Sequence, residues 1–479
     1  MSIAIWWIRR DLRLSDNQAL AAAGQHEQLL PVYILDPTLW SSDWVGEKRQ
    51  AFLLGGLRQL DQALRVRGSR LIIRLGSPLE QLTKLVRATN AAAIYAEGDY
   101  SPYARQRDKT IAATLPLQLL PGVSLFQPGD VLKKDGTPYV VYTPFSQVCK
   151  ALPQPQASDL LPVPTRISTP SDIFSYAIPD TPALPATVPF VPGEAEGQRR
   201  LEQFAGQWRH PIGQYAQRRD RLDLEGTSTL SPYLRAGMVS VRQAAVQAWS
   251  CYAAAHEAGD HDAQRGAEVW LNELLWREFY QHILYHFPHV RQGSFRPEYD
   301  RLDWVNDEEQ FRALQVGQTG FPVVDAAMRQ LEMTGWMHNR GRMIVASCLV
   351  KDLLINWRWG ERWFMQQLLD GDPAANNGGW QWAAGTGTDA APYFRIFNPI
   401  TQGQKFDPEG QYIRRWLPEL RQVPDKHIHT PWKMSPSEQE LAHCLIGHDY
   451  PFPIIDRSQT RERTLQAYVQ ARKPVNSYQ

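Results

Sequence analysis

Cysteine is scarce in this chain: Cys149, Cys251, Cys348 and Cys444 are the four present among 479 residues, and no two form a CxxC pair. That spacing argues against a disulfide framework or a zinc knuckle, and it fits a reducing compartment, so a cytoplasmic location is expected. Excess charge is lacking too. With 51 Lys and Arg against 50 Asp and Glu the formal net charge is +1, which excludes bulk cationic character and leaves nucleic-acid contact to a local basic patch. No stretch approaches a membrane span, and Ile3–Trp7 followed at once by Arg9, Arg10 and Asp11 lacks the apolar core and cleavage site of a signal peptide. No membrane partner is expected. Internal repeats, low-complexity tracts and GxGxxG are also missing, and the last absence removes the usual support for dinucleotide binding.

What is present is ample apolar material, 43% of residues, enough for two or more cores. IAIWW (from Ile3), LLPVYIL (Leu29–Leu35), RLIIRL (Arg70–Leu75) and AAIYA (Ala92–Ala96) read as buried strands. Between them run helical segments such as Glu47–Val66, so residues 1–130 are expected to form an α/β domain with a parallel sheet covered by helices. RRDLRLSDN at Arg9–Asn17 follows the first strand directly, at the carboxyl end where ligands of such sheets sit. Residues 131–199 read as a proline-rich connector, since ten prolines fall between Ala151 and Pro192. Residues 200–479 read as mostly α-helical, with turn signals at Gly335, Gly360 and Gly371.

The unusual chemistry lies in that second half. On a helix over roughly Ala267–Phe287, Trp270, Glu273, Arg277 and Tyr280 recur at three and four residue intervals and share one face, with Trp276 at its edge. An indole, a carboxylate and a guanidinium together suit a polar-tipped pocket better than a core. A helix over about His338–Ile355 places Asn339, Arg342 and Met343 on one face, where a contact to an aromatic base competes with core packing for the methionine. EGTSTLSPYL at Glu225–Leu234 is equally readable as a diphosphate cradle or a capping loop. Tyr215, Arg218, Arg219 and Arg221 precede it and supply positive charge. His282 and His286 have metal-ligand spacing, but Ile283 stands where an HExxH acid belongs, so no metal is expected. Finally, DGDPAANNGGWQWAAGTGTDAAPYFRIFNP at Asp370–Pro399 packs paired acids, asparagines, glycines and indoles as if around a flat ligand.

This last stretch, GWMHNR at Gly335–Arg340 and WLNELLWREFY at Trp270–Tyr280 closely resemble the flavin domain of the photolyase/cryptochrome family, and the similarity runs from RRDLRLSDN to the region of Trp432. The resemblance implies a Rossmann-like antenna domain, a helical FAD-binding domain, and light-driven repair of cyclobutane pyrimidine dimers in UV-damaged DNA by electron transfer from reduced FAD. It implies that Tyr215, Thr227, Ser228, Thr229, Leu230, Ser231, Trp270 and Arg277 line the FAD site with Asp370, Gly371, Asp372 and Asn376, the last facing the flavin N5. Glu273, Trp276, Asn339, Met343 and Trp382 are implied to hold a flipped-out dimer, a base extruded because chemistry on a stacked base is inaccessible. Arg219, Arg340, Arg342, Arg395 and Gln402 are implied to contact the surrounding DNA. Trp380, Trp357 and Trp304 match an electron-transfer chain that photoreduces the flavin.

DYSPYARQRD at Asp99–Asp108, with Arg10, resembles the 8-hydroxydeazaflavin-binding type of antenna site. The folate type carries an Asn-Glu pair where this chain has Tyr103-Ala104. Arg10, Asp99 and Tyr103 are thus the expected antenna residues, with methenyltetrahydrofolate or FMN as alternative chromophores. A cryptochrome-type photoreceptor is the main rival; Asn376 replaces the aspartate of plant-type cryptochromes, and the dimer cavity is intact. Repair of six-four photoproducts is disfavoured because GWMHNR supplies only His338, followed by Asn339. A dark flavin or nucleotide oxidoreductase would leave the aromatic helical half unexplained. A monomer is expected.

Overall fold

The computed structural model describes residues 2–473. The five described strands, β1 (Ile3–Ile8), β2 (Gln28–Leu35), β3 (Ile72–Leu75), β4 (Ala93–Glu97) and β5 (Leu117–Leu120), form one parallel sheet in the order β3-β2-β1-β4-β5. β1 and β4 are apolar runs because helices cover both faces of the sheet; Ile5, Trp7, Val32, Ile72 and Ile94 meet in the core on one side. β5 escapes the sequence reading because it is a short edge strand, LQLL, half-buried or exposed throughout. Strand order reverses between β1 and β4, so the crevice beyond their carboxyl ends is the expected ligand position of a doubly wound sheet. Helix α1 (Glu47–Arg65) is among the crossovers that cover it.

The described residues divide into two compact units: residues 2–217 with Thr227–Pro288 and Leu369–Ala375, and Arg218–Gly226 with His289–Leu368 and residues 376–473. In the first, helix α2 (Tyr142–Ala151) packs Phe145 and Cys149 against Leu275, Phe279 and Ile283 of helix α3 (His261–His286). Asp260 caps α3 through the backbone N–H of Ala263, so the helix starts six residues earlier than its apolar period suggests. From Leu152 to Pro192 the chain is irregular apart from a short 3₁₀ turn, as its proline content requires.

The second unit is helical around a large core that includes Val324, Met328, Leu331, Ile344, Leu349 and Trp380. Its helices include α4 (Asn339–Ser347) and α5 (Trp357–Gln367). Where the sequence suggests one helix to Ile355, α4 gives way at Cys348–Asp352 to a π-helical turn. The widened turn carries two buried polar side chains: Lys351 Nζ donates to Ala384 O at 2.8 Å, and Asp352 meets Arg457 Nε at 3.1 Å. Helix α6 (Pro373–Ala384) carries the Asn-Asn-Gly-Gly-Trp run. No helix among the described residues is long and apolar enough to cross a membrane.

Candidate functional site

In the first unit, Arg10 follows β1 and Asp99 follows β4, and the crevice between these strands brings their charges within 3.7 Å. Arg10 also donates to Asp372 at 2.7 Å. Burial opposes all three charges, yet Asp372 and Asp99 raise the Arg10 pKa, Arg10 holds Asp99 at about 2, and Arg10, Arg235 and Arg277 hold Asp372 well below the carboxylate range. Two residues with separate expected roles, Arg10 for an antenna and Asp372 for FAD, are therefore one ion pair. They line a cleft with Tyr100, Ser101, Gln281 and Pro373. Tyr103, the third expected antenna residue, donates its hydroxyl to Asp36, just beyond β2, and receives the Arg107 guanidinium over its ring. Arg107 and Arg9 both lie over Trp7, and both pair with Asp108.

The Asp370-Gly371-Asp372 segment is tethered further. Gly371 O accepts from Arg235 Nε at 2.9 Å and from Arg49 Nη1 at 3.3 Å. Asp372 accepts from the Ala374 and Ala375 N–H groups and so opens α6. Burial, with the neighbouring cations, lowers Arg235 to about 10 and Arg49 to about 9, so both remain charged at neutral pH. Sequence reasoning missed these two arginines. Arg235 carried a signal, since it lies within one turn of the TSTLS hydroxyls; Arg49 carried none.

Tyr215 and Trp270, both buried, share the Phe204 ring at 5.8 and 5.2 Å. Between them in sequence, the run Thr227–Ser231 holds Thr229 at φ +50, a left-handed conformation that costs a β-branched residue. The helix that follows, Ser231–Ala236, has Leu230 at its N-cap position, whose apolar side chain makes no cap bond. On α3, Arg277 Nη1 reaches Glu278 at 3.1 Å, while Glu278 accepts the Leu125 and Phe126 N–H groups. Glu273 and Trp276 are half-buried on the same helix, and Leu271, Leu274 and Leu275 are buried as their spacing predicts. His282 and His286 both donate to Pro128 O, at 3.1 and 2.9 Å, which gives the pair a structural task.

In the second unit, Asn376 Nδ2 donates to Glu361 O at 2.9 Å. That bond engages the N–H end of the carboxamide; the other end, Oδ1, can only accept. Asn377 donates to Glu361 Oε1 and Val290 O, and Gln381 donates to Asn377 Oδ1, so the Asn376 side of α6 is braced by a buried amide network. Trp357 and Trp380 are buried in the main core, and Trp304 packs half-buried against it. Trp380 meets Phe364 edge-on at 4.9 Å and lies on the α5 backbone at Gly360, where a Cβ would come within 2.1 Å of the indole. Other tryptophans, Trp359, Trp363 and Trp382, touch the same core.

His338 caps α4 by accepting the Arg340 N–H, and burial lowers its pKa to about 4. Asn339 Nδ2 lies 3.9 Å from Met343 Sδ, as their shared face predicts. Arg340 pairs with Asp220 at 2.6 Å and lies over Phe406; Arg219 is 3.9 Å from the same carboxylate. Arg342 Nε donates to Met337 O, and Arg395 lies over Phe397. Gln402 is half-buried on the helix Pro399–Phe406.

A family pattern described as the FAD binding domain of DNA photolyase matches residues 270–470, and one described as DNA photolyase matches residues 4–165. The chain is 41% identical to the deoxyribodipyrimidine photo-lyase of Salmonella typhimurium, over 98% of each chain. Among solved structures, a class III photolyase from Agrobacterium tumefaciens superposes with a TM-score of 0.91 at 36% identity, covering 99% of this chain and 98% of that one. A cryptochrome from Synechocystis superposes with a TM-score of 0.85 at 27% identity, covering 97% and 99%. The chain belongs to the DNA photolyase family, and its helical part is the family's FAD-binding domain.

Proposed function

We propose that the protein repairs cyclobutane pyrimidine dimers in UV-damaged DNA under blue light. The observation that carries this reading is the α3 segment in which half-buried Glu273, Trp276 and Arg277 follow the buried Trp270 while Leu271, Leu274 and Leu275 are buried. Reduced FAD bound here would supply the redox chemistry, lending an electron to the dimer and recovering it after the cyclobutane ring has opened. For that cofactor the residues present fit: a strained hydroxyl-rich turn at Thr227–Ser231, the Tyr215–Phe204–Trp270 aromatic group, and Asp370–Asp372 held by arginines. Asn376 offers Oδ1, an acceptor suited to the N5–H that a reduced flavin carries and an oxidised one lacks.

Glu273 then hydrogen-bonds an extruded pyrimidine, Trp276 and Trp382 stack against it, and Asn339 and Met343 complete the cavity. Arg219, Arg340, Arg342, Arg395 and Gln402 hold backbone phosphates, which position the duplex without reading its sequence. Trp380, Trp357 and Trp304 would pass electrons inward from an external reductant at the surface to an oxidised flavin, and Arg10, Asp99 and Tyr103 would hold an antenna, an 8-hydroxydeazaflavin in preference to methenyltetrahydrofolate or FMN. The protein acts as a cytoplasmic monomer, with residues 1–130 as antenna domain, 131–199 as connector and 200–479 as catalytic domain. A photoreceptor without repair shares the fold, but it has no use for Glu273, Trp276, Met343 and Trp382 together.

The test is to record the absorption of bound chromophores and then expose a dimer-containing oligonucleotide to blue light. Restored pyrimidine absorbance that requires both light and reduced protein is expected. Failure to restore it, with FAD bound and reduced, overturns the reading in favour of a photoreceptor.

A further inference from the structure

The connector before the helical half contributes an aromatic ring that no sequence motif marks. Tyr142, the first residue of α2, lies flat on Trp276, with ring centroids 3.7 Å apart and planes 6° from parallel. Its hydroxyl donates to Asn272 O at 2.8 Å, one turn earlier on α3, so the phenol is fixed at its far end as well as along its face. Phe279 meets both rings edge-on, 5.9 Å from Tyr142 and 5.7 Å from Trp276, and Tyr280 leans on the indole at 5.6 Å. Beneath them Phe145 and Cys149 of α2 are buried with Leu275, Phe279 and Ile283. The indole is half-buried, and one of its two faces is taken.

A half-exposed tryptophan on a helix ordinarily changes rotamer, and a ligand that stacks on it must first order it. Here that ordering is already present in the protein. We propose that Tyr142 is a positioning residue for damage recognition: it backs Trp276 so that the indole offers one fixed face, and an extruded pyrimidine pair completes a three-layer stack of phenol, indole and base. The inference rests on reading Trp276 as the stacking surface. Undamaged DNA, gripped by phosphates, makes no use of that face, so the effect falls on the ratio of damaged to undamaged affinity.

The experiment titrates the full chain with an oligonucleotide bearing one cyclobutane dimer and with its undamaged counterpart, using Tyr142→Phe, Tyr142→Leu, Trp276→Ala and the Leu/Ala double variant. Tyr142→Leu is expected to weaken damaged binding by about 2- to 12-fold, the range set by ordering one side chain, and to leave undamaged binding unchanged. Tyr142→Phe keeps the stack and is expected to keep wild-type selectivity. The double variant is expected to be no weaker than Trp276→Ala, because both act through one surface. Should Tyr142→Leu unfold, Tyr142→Met, which keeps bulk without a ring, is read in the same way. Unchanged selectivity in the leucine or methionine variant, equal weakening on both DNAs, or full additivity overturns the proposal. If Trp276→Ala itself keeps selectivity, the reading of Trp276 falls and the proposal with it; if Trp276→Ala loses selectivity and Tyr142→Leu does not, the proposal alone falls.

Discussion

Asp372 accepts two backbone N–H groups at the start of α6 and an Arg10 guanidinium at 2.7 Å. Burial alone would raise its pKa, and the surrounding arginines reverse that, so the folded state holds it below its unfolded value. A depressed carboxylate stabilises the fold above its unfolded pKa, about 3.9, and the stabilisation is lost as pH falls through the folded value. Asp372→Asn is expected to cost about 3–5 kcal/mol at neutral pH by leaving Arg10 with a buried deficit, read as a lower Tm. Its gap from wild type should narrow below about pH 4. Two imidazoles act at higher pH. Burial lowers His282 and His338 to about 4, so the unfolded chain binds more protons between there and about 6.5. Stability is therefore expected to rise with pH across that window, and His282→Asn to flatten the rise in Tm. At this scale the sequence places Glu273 on the α3 face of Trp270 and Arg277 with Trp276 at its edge, and the structure leaves both Glu273 and Trp276 half-buried there. The sequence said nothing of Arg49, because an arginine on an amphipathic helix reads alike whether it meets water or a Gly371 carbonyl.

Helices α5 and α6 touch where Trp380 lies on Gly360, and only a residue without a side chain leaves room for the indole. Gly360→Ala is expected to lower stability by about 1–3 kcal/mol through overpacking and to slow photoreduction of oxidised flavin while FAD still binds; transient absorption reads the second effect. Trp380→Phe is expected to bind FAD normally, to lose efficient photoreduction because phenylalanine is much harder to oxidise, and to repair DNA once the flavin is reduced chemically. A tryptophan radical forming with wild-type yield in Trp380→Phe would remove Trp380, and with it Trp357 and Trp304, from the proposed chain. Elements with strong periodicity were readable in advance: β1, β2 and β4 are continuous apolar runs, and α1 ends within one residue of its expected limit. β5 was not, since an edge strand needs little apolar surface. Nor was the π turn at Cys348–Asp352, which depends on partners of Lys351 and Asp352 far away in sequence.

At the scale of the molecule, residues 270–470, which match the FAD-binding family pattern, do not coincide with a compact unit. That span begins nine residues inside α3 and omits Tyr142, Phe145 and Cys149, which pack on it. Expressed alone, residues 270–470 are expected to show helical far-UV circular dichroism without the near-UV signal of fixed aromatic packing; a sharp near-UV spectrum and a cooperative melt would refute this. The alternation of strands and helices made the sheet's class legible, whereas the interleaving of segments from distant parts of the chain leaves no local trace.

That interleaving has a consequence for the order of synthesis. The first unit owns Leu369–Ala375, a seven-residue segment whose Gly371 and Asp372 receive Arg10, Arg49 and Arg235. A ribosome delivers the sheet and α3 first, then all of residues 289–368, and only then the piece that neutralises those guanidinia. The amino-terminal unit begins to form early in translation and cannot finish until the segment following Leu368 has emerged, so Arg49 and Arg235 wait, hydrated, for a partner segment that arrives more than a hundred residues after the second of them.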